Sequence, residues 1–303
     1  MALKTPVVFI IFNRPETTQK VFDAIKQAQP EKLFVIADGP RKNKPGEDSL
    51  CEQSRKIIDQ VDWKCEIIKD YSEVNLGCKK RLSTGITRVF EQTEQAIFLE
   101  DDCLPSQSFF TYCENLLEYY QDNEKIMHIA GINFQFGKNT TEYSYYFSHF
   151  VHVWGWASWK RAWKFYDVQM TKWPEVKETT FFDDFCVNDR AKRYWTEKFQ
   201  LTYEGKIDTW DYQWNFACLM NNGMSVIPNK NLVSNIGFNT GGVHTHEKKS
   251  EWAGIPIKEL EFPLKHPPKI IRNKNADDYT QNKHFSPDFF YKLKRKIKQT
   301  LTR

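Results

Sequence analysis

The chain has 303 residues, of which 40% are hydrophobic, 27% charged and 15% aromatic, with 13 glycines and 13 prolines. That composition excludes collagen, coiled coil and disorder, and the length suits one large domain or two small ones whose core needs no disulfide or zinc staple. The formal charge of +4 is too small to argue for nucleic acid, and the acid-free stretch from Phe289 to Arg303 supplies more than all of it.

The first third alternates strand and helix signals. Val7–Phe12 is a continuous β-rich run, broken by Asn13-Arg14-Pro15. Glu16–Ala28 reads as an amphipathic helix with Val21, Phe22 and Ile25 inward. Leu33–Ala37 is a second buried strand, ended by Asp38-Gly39-Pro40. A helix through Ile57, Ile58 and Val61, a short strand at Glu66–Ile68 and a helix at Leu82–Glu91 follow. Ala96–Leu99 is a fourth strand that runs into Glu100-Asp101-Asp102. Strands alternating with helices predict βαβ units and a mostly parallel sheet flanked by helices. Such sheets bind ligands beyond the carboxyl ends of their strands. Here those ends carry Asn13-Arg14, Asp38-Gly39 and the three acids, so three polar clusters converge on one edge.

The second half is less regular. Ser108–Tyr120 reads as a helix, Ile126–Ala130 as a strand, and Tyr143–Trp173 is crowded with aromatics. A helix starts at Asp208, with that residue as its N-cap, and Met224–Ile227 is a further strand. Asn239–His246 is a glycine-bearing loop with two histidines. A boundary near Pro263–Pro268 leaves a tail whose final segment begins at Ser286-Pro287, a good helix N-terminus. There Phe289, Phe290, Leu293, Ile297 and Leu301 form one apolar stripe among basic residues, suited to an anionic membrane surface or to docking on the body or on a partner. No apolar run approaches the ~20 residues of a membrane span. The N-terminus has no apolar stretch leading to a small-residue cleavage site, so a cytoplasmic location is expected, with peripheral membrane contact through the tail. Seven scattered cysteines without a CxxC pair fit reduced thiols buried as small hydrophobes.

Chemistry concentrates in a few places. Three acids closing a hydrophobic strand are costly unless something positive neutralises them. A hard divalent cation such as Mn²⁺ or Mg²⁺, shared with substrate phosphates, is one answer; a solvated acidic turn is the other. Arg14 can reach a phosphate with its fork, or form an ordinary salt bridge. Asp38 suits a base or ribose, or an Asx turn. Lys80 and Arg81, in the basic turn after Asn75-Leu76-Gly77, suit a diphosphate or a solvated face. Asp211 lies between Trp210 and Trp214, a partly apolar setting for a general base. His244, with glycines before it, could complete a metal shell. Trp154 and Trp156 could stack on sugar rings, or belong to the core.

Taken in order, these residues resemble the GT-A glycosyltransferases, nearest the N-acetylglucosaminyltransferase I type and similar to bacterial family-2-like sugar transferases. The likeness is carried by LEDDCLPSQSFF, the Gly155-Trp156 segment, Trp173-Pro174, Trp210-Asp211 and Gly242-Val243-His244, over about residues 5–246. It implies a GT-A fold in which residues 1–105 bind a nucleotide sugar, 106–262 bind the acceptor and carry catalysis, and 263–303 form an extension. It implies an inverting, metal-dependent transfer of a sugar, GlcNAc or a related hexose, from a UDP-sugar to a hydroxyl of a glycan or lipid-linked acceptor. Asp102, with His244, would hold Mn²⁺ or Mg²⁺. Asp101 would face the ribose, Glu100 the donor sugar, Asp38 the uracil and Arg14 the phosphates, with Phe12, Asn13, Lys80 and Arg81 also on the donor side. Asp211 would be the base, and Trp154, Trp156 and Trp210 would line the acceptor pocket. Two alternatives share the scaffold: a sugar-phosphate nucleotidyltransferase, and a non-catalytic carbohydrate-binding protein.

Overall fold

The computed structural model describes residues 2–138, 140–183, 185–238 and 252–287. Its strands are β1 (Val7–Ile11), β2 (Lys32–Ala37), β3 (Glu66–Tyr71), β4 (Gln95–Glu100), β5 (Cys103–Pro105), β6 (Ile126–Ala130), β7 (Tyr145–Ser148), β8 (Trp156–Trp159), β9 (Met224–Pro228) and β10 (Val233–Asn235). The helices are α1 (Pro15–Ala28), α2 (Glu47–Lys56), α3 (Cys78–Gln92), α4 (Gln107–Tyr119), α5 (Lys160–Trp163), α6 (Trp173–Val176), α7 (Asp189–Tyr203), α8 (Asp211–Met220) and α9 (Lys274–Thr280). One sheet runs β3-β2-β1-β4-β8-β6-β9-β7, and β5 pairs with β10 in a small antiparallel ribbon. Strands β3, β2, β1 and β4 are mutually parallel, as are β6 and β9; β8 and β7 run against their neighbours. The molecule is thus a mixed α/β fold with a mostly parallel central sheet between helices, a Rossmann-like arrangement consistent with the GT-A type.

The period-2 alternation of β1 sets the two faces. Val7, Phe9 and Ile11 join one core with α1 and α4, around Phe22, Ile25, Phe109 and Leu116. Val8 and Ile10 join the other, with α3 and α8, around Ile86, Trp156, Trp163 and Trp214. A third cluster, centred on Trp173, Trp195, Phe199 and Phe216, ties α6 and α7 to α8. Residues past the Pro263–Pro268 turn pack back on the body. Asn273 N–H donates to the Phe147 carbonyl at 2.8 Å, and buried Asp277 pairs with Arg272 Nε at 2.6 Å while accepting from Ser148 Oγ at 2.6 Å.

The continuous runs become β1, β2, β4, β6 and β9 at or within two residues of their expected limits. The third strand extends to Tyr71, and the aromatic segment contains β7 and β8, where no strands are expected from sequence. The helix α7 is likewise not foreseen. Among the described residues no helix is long and apolar enough to cross a membrane. The expected basic tail helix and the His244 and His246 loop lie outside the described residues.

Candidate functional site

Parallel pairing places Ile11 beside Ala37 and Ile10 beside Glu100, so the loops after β1, β2 and β4 leave the sheet at one edge. They surround a cavity of about 330 Å³ whose wall includes Phe12, Asn13, Arg14, Asp38, Glu100, Asp101 and Asp102. The far wall comes from the start of α8: Asp208, Thr209, Trp210 and Asp211. The convergence expected from sequence is therefore present, and it reaches the tryptophan-flanked acid.

Arg14 organises the acidic corner. Its guanidinium pairs with Asp101 through Nη2 and with Asp102 Oδ2 through Nη1 at 2.8 Å, and both aspartates are buried. Burial alone would lower the Arg14 pKa, but the two carboxylates overcome it and hold the group firmly charged. Asp101 also accepts from the Phe12 backbone N–H at 3.0 Å. The Glu100 carboxyl has no hydrogen-bond or ion-pair partner among the described residues. Burial, reinforced by Asp102, pushes its carboxyl up to about 8, and burial holds Asp101 at about 6. Three carboxyl groups face one guanidinium, so the corner is short of positive charge. Gly237 closes it from behind. A Cβ there would stand 2.3 Å from Asp102 Oδ2 and 2.7 Å from Arg14 Nη1, so the backbone lies directly against the pair.

The carboxylate oxygens are the donor type that hard cations take. Among the described residues, however, no group of three or more His, Cys, Asp or Glu side chains stands ready to hold an ion. Glu100 and Asp102 are the side chains here that could contribute such oxygens to a divalent cation. His244, expected to complete the metal shell with Asp102, lies outside the described residues.

Other expected donor residues are placed differently from one another. Asp38 lines the cavity, yet its carboxylate accepts from the backbone N–H groups of Gly39, Leu76 and Gly77 at 2.9, 2.9 and 3.1 Å, and from Asn75 Nδ2 at 3.0 Å. It thereby anchors the turn before α3, while burial still raises its pKa. Asn13 Nδ2 donates to Glu47 Oε1 at 2.8 Å, and Glu47 in turn holds Arg41, which sits over the Phe12 ring. Arg81 is 2% exposed and lines the cavity, but its cation pairs with Asp70 at 3.0 Å and donates through Nε to the Ala37 carbonyl. Lys80 is exposed on α3 and is not part of the cavity wall. Of the two expected donor-side cations, Arg81 is thus already engaged by the protein and Lys80 faces solvent, the second of the two readings open from sequence. The α3 N-terminus is also occupied: Asp208 accepts from Cys78 N–H at 3.1 Å and Lys79 N–H at 3.0 Å. Asp208 was expected to cap its own helix; it caps α3 instead, and Trp210 stands at the N-cap of α8 without a side-chain cap.

Asp211 occupies the first turn of α8. Oδ1 accepts from Thr209 Oγ1 and from the Tyr212 N–H, leaving Oδ2 without a partner among the described residues. Of the expected acceptor tryptophans, Trp154 is half-buried and lines the cavity, and Trp210 lines it while 2% exposed. Trp156 is a correction. It is 1% exposed, opposite Phe98 in the β4–β8 register, and stacked on that ring at 4.1 Å, so it is core and not a surface for a ligand.

A second cavity, of about 300 Å³, adjoins the first and shares Val153, Trp154 and Asp211 with it. Its other walls include His152, Tyr194, Asn215, His284 and Phe285, none of which was singled out from sequence. Only the aromatic crowding of residues 143–173 hinted at it. His284 and Asn215 come from distant segments, and nothing local marks them.

No family model matches the chain, and no curated protein matches it by sequence. Solved structures overlap it loosely. A galactosyltransferase LgtC in complex with donor and acceptor sugar analogues is 10% identical, with 74% of this chain and 73% of that one covered at a TM-score of 0.38. A cytidylyltransferase from Leptospira borgpetersenii is 10% identical, over 65% of this chain and 73% of its own, at a TM-score of 0.34. A UDP-glucose pyrophosphorylase complexed with UDP-glucose is 13% identical at a TM-score of 0.28; the overlap takes 48% of this chain and 62% of the pyrophosphorylase. Likenesses this loose carry no argument, and the fold rests on the chain's own strand order.

Proposed function

We propose that the protein is an inverting glycosyltransferase that moves a hexose-type sugar from a UDP-sugar to an acceptor hydroxyl. The observation that carries this reading is the position of Asp211, on the wall common to two cavities, one of them edged by Arg14 and the three acids. In the first cavity the nucleotide lies over the strand ends, its phosphates toward Arg14. Glu100 and Asp102 would hold a divalent cation there. When bound, that ion supplies positive charge beside the departing diphosphate. Asp211 works from the opposite side. Thr209 and the Tyr212 amide fix one carboxylate oxygen, and the other is free to take the proton of the attacking hydroxyl. The oxygen–sugar bond forms as the sugar–phosphate bond breaks, the electron pair leaves with UDP, and the anomeric centre inverts.

The test is turnover of a UDP-sugar panel with Mn²⁺, with and without chelator, read as UDP release. Asp211→Asn should lower kcat by at least 10²-fold, in the range for loss of a general base, while UDP affinity changes less than twofold. Wild-type turnover in that variant would remove Asp211 from the mechanism. Asp102→Ala, and chelation of the wild-type protein, should each weaken UDP binding in calorimetry. Diphosphate release from UTP and a sugar phosphate would instead indicate nucleotidyl transfer.

A further inference from the structure

We propose that the second cavity binds the acceptor as an uncharged sugar residue, and that Asn215 and His284 are its specificity-determining hydrogen-bonding groups. This deepens the transferase reading and rests on it for the word acceptor; the pocket's ligand class rests on its own walls.

Asp211 and Trp154 belong to both cavities, so a molecule in the second one lies within reach of the carboxylate that faces the first. Phe134, Trp154, Tyr194, Tyr212 and Phe285 supply the second cavity with aromatic surface, the material that packs on the C–H faces of a pyranose. Two polar atoms of its wall residues have no partner among the described residues: Asn215 Oδ1, on a residue 4% exposed, and His284 Nδ1. Buried polar atoms are ordinarily satisfied, so a ligand hydroxyl that reached either atom would pair a group the fold leaves unpaired. A hydrocarbon would leave both unpaired, which penalises a lipid chain as the occupant. Hydroxyls would pair them.

Charge narrows the class further. Among the described residues no Lys or Arg lines this cavity, and its one carboxylate is Asp211. The two histidines are His152 and His284, whose rings stand edge to face with centroids 6.5 Å apart. Burial keeps both neutral, His284 down to about 3. A phosphate or carboxylate would therefore meet a negative group and no cation. The first cavity, with Arg14, is the opposite case.

The walls are also held in place. The turn Gln281–Phe285 that carries His284 is fixed to α7 by Trp195 Nε1 donating to Gln281 Oε1 at 2.8 Å, and by Arg190 donating to Asn282 Oδ1 at 2.6 Å and to the Ser286 carbonyl at 2.8 Å. Strand ends and C-terminal segment thus meet at one pocket.

The experiment uses the full-length protein with UDP present. Saturation-transfer NMR and calorimetry compare methyl glycosides of glucose, galactose and N-acetylglucosamine with methyl glucuronide, glucose 6-phosphate and hexanol. At least one neutral glycoside should bind, with the acidic sugars and hexanol at least tenfold weaker. Asn215→Leu and His284→Phe should each weaken the neutral glycoside at least tenfold while the UDP dissociation constant stays within twofold. Two variants from different segments, each checked for an unchanged melting temperature, guard against a folding defect in one. Preference for an acidic sugar or for hexanol, no binding by any glycoside, or full binding in both variants overturns the proposal. Neutral glycoside binding with no UDP affinity would leave the pocket assigned and sink the transferase reading; UDP turnover with no glycoside binding would do the reverse.

Discussion

At the residue scale, His128 shows how a buried titratable group reports its environment. It is fully buried beneath Trp156, and its Nε2–H donates to the His152 carbonyl at 3.0 Å while Nδ1 accepts from Trp214 Nε1 at 3.2 Å. Both bonds require the neutral ring, because a second proton on Nδ1 would face a donor. Burial accordingly pulls its pKa from 6.5 down to about 3. Between those values the unfolded chain binds a proton that the folded chain refuses. Stability is therefore full above pH 6.5 and falls with acid, by about 1.4 kcal/mol per pH unit for this one ring. His152 and His284, also held neutral by burial, add to this loss, while the raised Glu100 and Asp101 oppose it. In urea midpoints measured from pH 7 to pH 4 the His128 share is therefore read as the difference from His128→Gln, which should remove about one proton from the slope. An unchanged slope would mean that another group carries the acid sensitivity.

Elements depend on contacts that sequence does not display. The N-terminus of α3 is capped by Asp208, more than a hundred residues away, and Gly77 before it has φ +78° with Asp208 Oδ2 2.9 Å from where a Cβ would stand. Asp208→Ala should cost about 1 kcal/mol in denaturant stability, the usual worth of a cap. Gly77→Ala should cost more, because it adds a strained backbone to the clash. If Asp208→Ala leaves stability unchanged, the cap is not what holds this end. The strands with continuous apolar runs were legible because burial on both faces writes itself as uninterrupted Val, Ile and Phe. Strands β7 and β8 were not, since Tyr145-Tyr146-Phe147 and Trp156-Ala157-Ser158-Trp159 read as undifferentiated aromatics. Trp156 illustrates the ambiguity: a tryptophan beside a glycine looks the same whether it stacks on Phe98 or on a ligand. Likewise Arg14 was legible as a cation near acids, but its pairing with Asp101 and Asp102 needed the register of β1 against β4. Asn215 and His284 were invisible because only folding brings α8 and the C-terminal turn together.

Across the whole molecule, the segment after residue 252 acts as a strap. Glu259 accepts from the Gln107 and Ser108 N–H groups at the start of α4, at 3.2 and 2.8 Å, and Asp277 pins α9 to β7 through Ser148, the His149 N–H and Arg272. Removing the Asp277 carboxylate takes the acceptor from Ser148, the His149 N–H and Arg272 at once. Asp277→Ala should cost about 3–5 kcal/mol. Hydrogen exchange should quicken first in α9 and the turn after it, with the parallel strands slower to respond. Uniform quickening throughout would show that the strap is no separate unit.

The aspartate seated on the amide end of α3 has one more outcome. Free helix beginnings attract anions, and this one, at the rim of the first cavity, is already neutralised by the protein itself. On the transferase reading, a donor diphosphate would be left with the Arg14 guanidinium as its main anchor, and the aspartate that closes off the rival berth sits three positions ahead of the proposed proton acceptor. On that reading, where the donor settles and how that acceptor is aimed would both be governed by the same short stretch of chain.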